Sequence, residues 1–263
     1  EKNNQTRMTK IGHAIALLRL AAIGILSTTI STTTTLFLSS TAAVHVSAVP
    51  IQLHGLNFNT RQGPDWDPNR CKSREQILLD MTMLKRFTNR IRILSMTDCN
   101  DIDVLLEIAK ELGMQVWLGI WVADDFNVFL GELAALENWL VQGVIDAGTV
   151  LGVTVGSEAI FRGSVSIAEN VEMRDLVKDL LTDYGLGALP VSIVDIGQNY
   201  INSPTLTESV DVVYANIFPF WAGVPVGQSV PNLLGDVLRI AGQPEANGKR
   251  VIIGETGWPS DGI

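Results

Sequence analysis

The sequence is poor in the residues that build many metal and disulfide sites. It has two cysteines and three histidines in 263 residues, too few for a disulfide-built miniprotein or a four-cysteine zinc site. No cysteine and histidine stand at the spacing of metal ligands, and His54 is the only histidine beyond residue 48. Zinc sites need three or four such side chains close together. We therefore expect no metal and no cofactor.

Several catalytic and nucleotide-binding motifs are also missing. No G-x-G-x-x-G follows the first predicted strand, and neither G-x-x-x-x-G-K-[ST] nor G-x-S-x-G occurs anywhere in the chain. Their absence argues against dinucleotide and nucleoside triphosphate sites. It also argues against an α/β-hydrolase with a serine nucleophile.

Positive charge is scarce too. Lys and Arg total 19 against 28 Asp and Glu, a net charge of −9, which makes nucleic acid an unfavourable partner. The mean hydropathy of +0.24 and the ten prolines exclude a disordered chain. The length suits one α/β domain.

Residues 1–48 differ from the rest. They carry four basic residues against Glu1, then an apolar run over 11–26 that Arg19 interrupts, then a Ser/Thr-rich tract ending in V-S-A. This order is typical of a secretory signal, and the run is short for a membrane span. We expect a signal and leader over 1–48, a catalytic domain over 49–263, and a secreted mature chain with no membrane attachment. An uncleaved signal anchor is the alternative.

Secretion bears on the two cysteines. In an oxidising compartment Cys71 and Cys99 are expected to pair as a disulfide. Two free buried thiols are the alternative.

From residue 51 onward, short apolar runs alternate with segments of helical period. Such runs suit strands buried on both faces of a parallel sheet, and the order favours a barrel over a doubly wound sheet. Strands are predicted over 51–58, 90–95, 115–121, 149–156, 189–195, 210–217 and 249–255, and helices over 74–88, 101–113, 125–147, 167–184 and 228–242. The prediction is an α/β (β/α)8 TIM barrel that is truncated after strand seven.

Two glutamates stand where predicted strands end. Glu158 follows the fourth strand in VGSE, and Glu255 ends the seventh in IIGETGWPS. Each alone would be read as a solvated carboxylate. Carboxyl ends of barrel strands share one face, so we expect the two to meet there. Paired carboxylates are what glycosidic bond cleavage requires.

The chain resembles glycoside hydrolase family 17, the endo-1,3-β-glucanases and glucanosyltransferases, in its fungal cell-wall branch. The matching stretches are CKSREQILLDMTMLK, RIRILSMTDC, VWLGIWV, VTVGSEAIFRG, VDVVYANIFPFW and VIIGETGWPSDG. The resemblance implies an eight-stranded barrel with Glu158 as acid/base and Glu255 as nucleophile. It also implies a retaining endo-1,3-β-glucosidase that acts on β-1,3-glucan in cell-wall carbohydrate metabolism, as a monomer in the secreted or wall fraction. The alternatives are a β-1,3-glucanosyltransferase and an inactive glucan-binding wall protein.

Seven further residues are predicted to bind substrate, each with a structural alternative. Aromatic faces can stack on glucose rings or fill the core, and polar side chains at strand ends can contact hydroxyl groups, pair with other charges or form turns. The seven residues are Asn57, Arg92, Asp98, Trp121, Ser157, Phe218 and Trp258. Ser157 departs from the family, which usually has Asn before the acid/base to contact the sugar 2-hydroxyl. Leu94 stands where the family has Tyr.

Overall fold

The computed structural model describes residues 51–259. The predicted signal and leader over 1–48 lie outside the described residues, so that prediction stays a prediction.

Seven parallel strands form one sheet in the order of the chain. Every strand pairs in parallel with the next, from β1 with β2 to β6 with β7. A doubly wound sheet would reverse its strand order at a switch point, whereas a barrel keeps it. The predicted α/β barrel fold is confirmed. The strands are β1 (Leu56–Asn57), β2 (Arg90–Arg92), β3 (Gln115–Ile120), β4 (Val150–Val155), β5 (Val191–Ile196), β6 (Val213–Asn216) and β7 (Val251–Glu255).

Helices follow six of the strands and cover the outside of the sheet. Two begin with a complete capping box, built by Ser73 with Gln76 and by Ser166 with Glu169, which satisfies amide groups that the first helical turn leaves free. The helices are α1 (Arg74–Leu84), α2 (Ile102–Glu111), α3 (Phe126–Val141), α4 (Ile167–Asp183), α5 (Gly197–Asn202), α6 (Pro204–Ser209) and α7 (Ser229–Ala241). The short pair α5 and α6 was not predicted.

The first strand is much shorter than the predicted 51–58. Only Leu56 and Asn57 pair, with Ile91 and Arg92 of β2. Residues 51–55 are exposed, and β1 has one neighbouring strand among the described residues. Apolar character alone therefore overestimated its length, because a strand needs partners for its backbone groups.

The main core lies between the sheet and the helices, and a smaller cluster fills the barrel. Trp117 and Tyr214 meet edge to face inside it, with ring centroids 5.3 Å apart. Gly119 is required where β3 passes β2, since a Cβ there would lie 2.2 Å from the carbonyl oxygen of Ile93. Because all seven strands run parallel, their carboxyl ends lie at one mouth of the barrel.

The predicted disulfide between Cys71 and Cys99 is confirmed. It joins the segment before α1 to the loop after β2, with 5.6 Å between the Cα atoms. The same segment bridges back to Arg61 in antiparallel fashion. The bond thus ties two loops on the side of the barrel where the strands end.

No helix within residues 51–259 has the length and apolar character needed to cross a membrane.

Candidate active site

Glu158 and Glu255 line the same cleft at the mouth of the barrel. The cleft has a volume of about 660 Å³ and lies over the ends of β4 to β7. Its lining combines carboxylates, amides and aromatic rings: Glu158, Phe161, Gln198, Asn216, Phe218, Trp221, Asn232, Asp236 and Glu255, with aliphatic residues between them. The structure thus brings the two glutamates into one open groove, 97 residues apart in the chain.

Glu158 is held in an unusual backbone conformation. Its φ is +57°, two residues after Gly156 at +78°, and a residue with a side chain costs about 1–2 kcal/mol in this left-handed region. Two backbone hydrogen bonds fix it: its amide donates to the carbonyl of Val194 at 2.9 Å, and its carbonyl accepts from the amide of Arg162 at 2.8 Å. Such residues concentrate at functional sites.

The loop after Glu158 is anchored by Asp195 at the end of β5. This side chain is fully buried and accepts from the amides of Ile160 at 2.9 Å, Phe161 at 3.4 Å and Ile196 at 2.9 Å. Burial raises the pKa of the Asp195 carboxyl, and these hydrogen bonds oppose that change. Asp195 therefore joins the Glu158 loop to the neighbouring strand.

Arg92 stands between Glu255 and Ser157. Its Nη2 lies 3.4 Å from Glu255 Oε1 and donates to Ser157 Oγ at 3.1 Å. The Arg92 side chain is 3% exposed, and that of Glu255 is 27% exposed. Burial lowers the pKa of the Arg92 guanidinium, and the Glu255 carboxylate opposes this. The Arg92 cation is thus held within 3.4 Å of the Glu255 carboxyl group.

Asn216 was not singled out from the sequence, yet it contacts Glu158. Its Nδ2 donates to Glu158 Oε1 at 2.9 Å, and its Cα is the sheet partner of Glu255. The β6–β7 register shifts there, so that Ala215 faces Ile253 and Asn216 faces Glu255. Such a β-bulge redirects side chains, and a one-residue skip is not visible in the hydrophobic pattern.

The predicted aromatic contacts divide into two groups. The predicted Phe218 lines the cleft. Phe161, which was not predicted, and Trp221, which is 78% exposed, line it as well. Trp258 packs edge to face on Phe220 at 5.3 Å between centroids and stays 39% exposed. In both groups, part of the aromatic surface is therefore exposed to solvent at the mouth of the barrel.

Trp121 lies beside the Glu158 loop under Arg162, whose guanidinium carbon is 4.8 Å from the ring centroid. Arg162 also donates to the carbonyl oxygens of Ser157 at 3.3 Å and Val122 at 2.9 Å. Buried Glu132 accepts from the Trp121 amide at 3.2 Å. One face of Trp121 is thus covered by a cation from the loop that carries Glu158.

Two predicted contacts lie away from this cleft. Asp98 pairs with Arg61 at 3.6 Å and lines a separate, small cavity near Phe58. Asn57 borders a cavity of about 80 Å³ between β1 and β7. For Asp98, the ion pair that was its structural alternative is present, and a sugar contact for either residue stays a prediction.

Within residues 51–259, no three side chains of His, Cys, Asp or Glu group together as metal ligands would. Of the carboxylates in the cleft, Glu158 accepts a hydrogen bond from the Asn216 amide and Glu255 faces the Arg92 guanidinium.

Comparison with known proteins agrees with this geometry. The model of the BtgE/BtgC glycoside hydrolase domain matches residues 55–263. The chain belongs to this glycoside hydrolase family. Its barrel is therefore a glycosidase domain, and the predicted membership of glycoside hydrolase family 17 is confirmed by the relatives described next.

The chain is 31% identical over 238 residues to glucan 1,3-beta-glucosidase BGL2 of Candida albicans, covering 86% of this chain and 75% of that one. It is 30% identical over 200 residues to the probable glucan endo-1,3-beta-glucosidase btgC of Aspergillus fumigatus, covering 72% of this chain but 28% of that one.

A solved structure shares the fold. The glycoside hydrolase family 17 beta-1,3-glucanosyltransferase from Rhizomucor miehei superposes with a TM-score of 0.67 at 29% identity, covering 79% of this chain and 72% of that one. An active-site mutant of that enzyme in complex with laminaritriose gives a TM-score of 0.68 at 28% identity, with the same coverage.

Proposed function

We propose that this glycosidase cleaves β-1,3-glucan internally and with retention of configuration. The observation that carries the proposal is that Glu158 and Glu255, from the ends of β4 and β7, line one cleft. Retention requires the two carboxyl groups about 5–5.5 Å apart. The names of the relatives and the laminaritriose complex of the Rhizomucor enzyme support β-1,3-glucan as the substrate.

In the first half of the proposed reaction, a Glu255 oxygen attacks the anomeric carbon. Glu158 gives its proton to the glycosidic oxygen as the bond from that oxygen to the anomeric carbon breaks, and the leaving glucan departs as an alcohol. A glycosyl ester on Glu255 and an ionised Glu158 remain. Arg92 stabilises Glu255 as an anion before attack and after release.

In the second half, the ionised Glu158 takes a proton from an incoming hydroxyl group. The oxygen of that group bonds to the anomeric carbon, and Glu255 leaves as a carboxylate. When the hydroxyl belongs to water the result is hydrolysis, and when it belongs to a sugar the result is a new glucan linkage.

Transfer is the second candidate, because the solved relative is a glucanosyltransferase and exposed rings such as Trp221 extend along the cleft. Incubation with laminaripentaose and sizing of the products separates the two. Only shorter products indicate hydrolysis, while products longer than the pentamer indicate transfer. An unchanged pentamer that still binds would show an inactive glucan-binding protein instead.

We further propose that the catalytic domain over 49–263 is secreted or retained in a cell wall as a monomer, after removal of 1–48. The fungal glucanase relatives and the disulfide, which needs an oxidising compartment, support this. Amino-terminal sequencing of protein recovered from the medium and wall, with light scattering for mass, tests it. An intact leader on a membrane-bound protein would contradict it.

A further inference from the structure

We propose that Asn216 is the residue that positions Glu158 for proton transfer, and that the β-bulge at Gly254 places it there. This inference rests on the proposed function. Asn216 is 2% exposed, and its side-chain amide is directed at the acid/base carboxyl rather than at the backbone.

The hydrogen bond distinguishes the two oxygens of Glu158. Oε1 accepts from Asn216 Nδ2 at 2.9 Å, and no other described side chain donates to this carboxyl. In a carboxylic acid the oxygen that accepts is the carbonyl oxygen, so the proton belongs on Oε2. Asn216 therefore leaves the O–H free to reach a glycosidic oxygen in the cleft.

The same contact serves the second half of the reaction. After Oε2 has given up its proton, Nδ2 continues to donate to Oε1, so the carboxylate keeps its orientation while Oε2 removes a proton from the incoming hydroxyl. An amide can do this in both protonation states because it does not titrate. Arg92, the nearby cation, contacts Glu255 and Ser157 instead.

The geometry that delivers Asn216 depends on Gly254. A Cβ on Gly254 would lie 2.5 Å from Asn216 Oδ1 and 2.9 Å from Tyr214 Cδ1. Asn216 Oδ1 is buried with no donor among the described residues, a costly state that persists where surrounding structure enforces it. The bulge skips Gly254, so Asn216 faces Glu255 and its amide reaches across to Glu158.

The test compares two substrates of different leaving-group ability. Linear β-1,3-glucan needs a proton on its leaving oxygen, whereas a dinitrophenyl β-laminaribioside does not. We expect Asn216→Ala to lower kcat/KM on linear glucan by about 10²-fold and on the activated glycoside by less than about fivefold. Azide should raise kcat of this variant on the activated glycoside, giving the β-azide, because slow deprotonation of water no longer limits turnover.

Asn216→Asp separates positioning from packing. It keeps the shape of the side chain but replaces the donor with an oxygen that repels Glu158, so we expect it to be as defective on linear glucan as Asn216→Ala. Near-normal activity of the Asp variant would show that only volume matters and would overturn the inference. Asn138→Ala, an exposed asparagine on α3, is the matched control for stability and rate.

Gly254→Ala tests the bulge without altering any polar side chain. It should produce the same selective loss on linear glucan as Asn216→Ala, because the new methyl group displaces Asn216 Oδ1. Equal losses on both substrates would mean that it disturbs the site generally and would overturn the assigned purpose of the bulge.

Glu158→Gln keeps this inference separate from the proposed function. If Glu158→Gln shows the selective loss but Asn216→Ala behaves like the unaltered protein, the positioning role is wrong and the proposed function stands. If Glu158→Gln is equally active on both substrates, the proposed function itself fails.

Discussion

Charged residues at the two ends of this barrel are used in different ways. At the base, Asp211 before β6 accepts three hydrogen bonds, from Arg174 Nη2 at 2.8 Å, Lys178 Nζ at 2.8 Å and the Val191 amide at 2.9 Å. At the mouth, Glu255 has one long contact with Arg92 at 3.4 Å. Asp211 is therefore saturated by protein donors, although Arg174 Nε is buried without a partner among the described residues, whereas Glu255 keeps unused hydrogen-bonding capacity.

Buried polar groups without hydrogen-bond partners at the mouth lower the stability of the protein without substrate. Arg92 Nε and Nη1 and Asn216 Oδ1 are buried without partners among the described residues, and each such group costs about 1–3 kcal/mol. In (β/α)8 barrels the catalytic residues lie at the mouth, where the strands end, whereas residues at the base mainly stabilise the fold. The contrast predicts that mouth substitutions lower rate more than stability, and that base substitutions do the reverse.

The largest effect is expected for Glu255→Ala. Without a nucleophile, both hydrolysis and transfer should fall by about 10⁴-fold or more, while the melting temperature changes little because Arg92 is the one polar partner of this side chain within residues 51–259. Azide added to the variant should restore turnover of an activated β-glycoside and give the α-azide. A variant that keeps its rate on glucan would contradict the assignment.

A smaller loss is expected for Arg92→Lys. Lysine carries a point charge on a more flexible stem, so we do not expect it to hold its charge where Arg92 Nη2 contacts Ser157 Oγ at 3.1 Å and Glu255 Oε1 at 3.4 Å. We expect kcat/KM to fall by about 10–100-fold, a fold-change that corresponds to about 1.4–2.7 kcal/mol. Arg239→Lys on exposed α7 is the control, and equal activity of the two variants would refute a requirement for arginine at position 92.

At the base, Asp211→Asn should cost about 1–2 kcal/mol of unfolding free energy with kcat unchanged. Burial alone would raise the pKa of Asp211, but the hydrogen bond from Lys178, the Val191 amide and the charge of Arg174 outweigh it, so the pKa lies below its usual value. A lowered folded-state pKa stabilises the fold above the usual pKa, near 3.9, and this is lost as pH falls through the lowered value.

Urea unfolding at pH 7 and near pH 2.5 checks this prediction. The difference between the original protein and Asp211→Asn should be full at pH 7 and shrink toward pH 2.5. A difference in unfolding free energy that does not change with pH, or a lower kcat of the Asp211→Asn variant, would contradict the proposed contrast between base and mouth.

The smallest effect is expected for the exposed aromatic residue Trp221. Trp221→Ala should raise KM for long β-1,3-glucan a few-fold and leave the melting temperature unchanged, because the ring is 78% exposed and contributes stacking surface rather than core volume. Trp66→Ala, a similarly exposed ring at 83% that does not line the cleft, is the control. A drop in stability with unchanged KM would show a packing role.

Sequence predicted the parts of this site that follow from strand order. Glu158 and Glu255 end apolar runs, and parallel strands put such ends on one face, so their meeting could be expected. Asn216 could not, because its direction depends on a bulge that skips Gly254. Asp98 was predicted to contact substrate because it follows a strand. The position after a strand predicts on which face of the barrel a residue lies. It does not predict that a nearby cation such as Arg61 pairs with the carboxylate.

We propose that Glu255 forms a covalent bond to the sugar while Glu158 transfers protons, and this bond can be detected. Its most direct measurement is incubation with an activated 2-deoxy-2-fluoro-β-laminaribioside, which slows release of the intermediate, followed by mass spectrometry of proteolytic peptides. We expect a fluoroglycosyl adduct on Glu255 that is absent in Glu255→Ala. An adduct on another residue, or turnover of glucan with inverted configuration and no adduct, would contradict it.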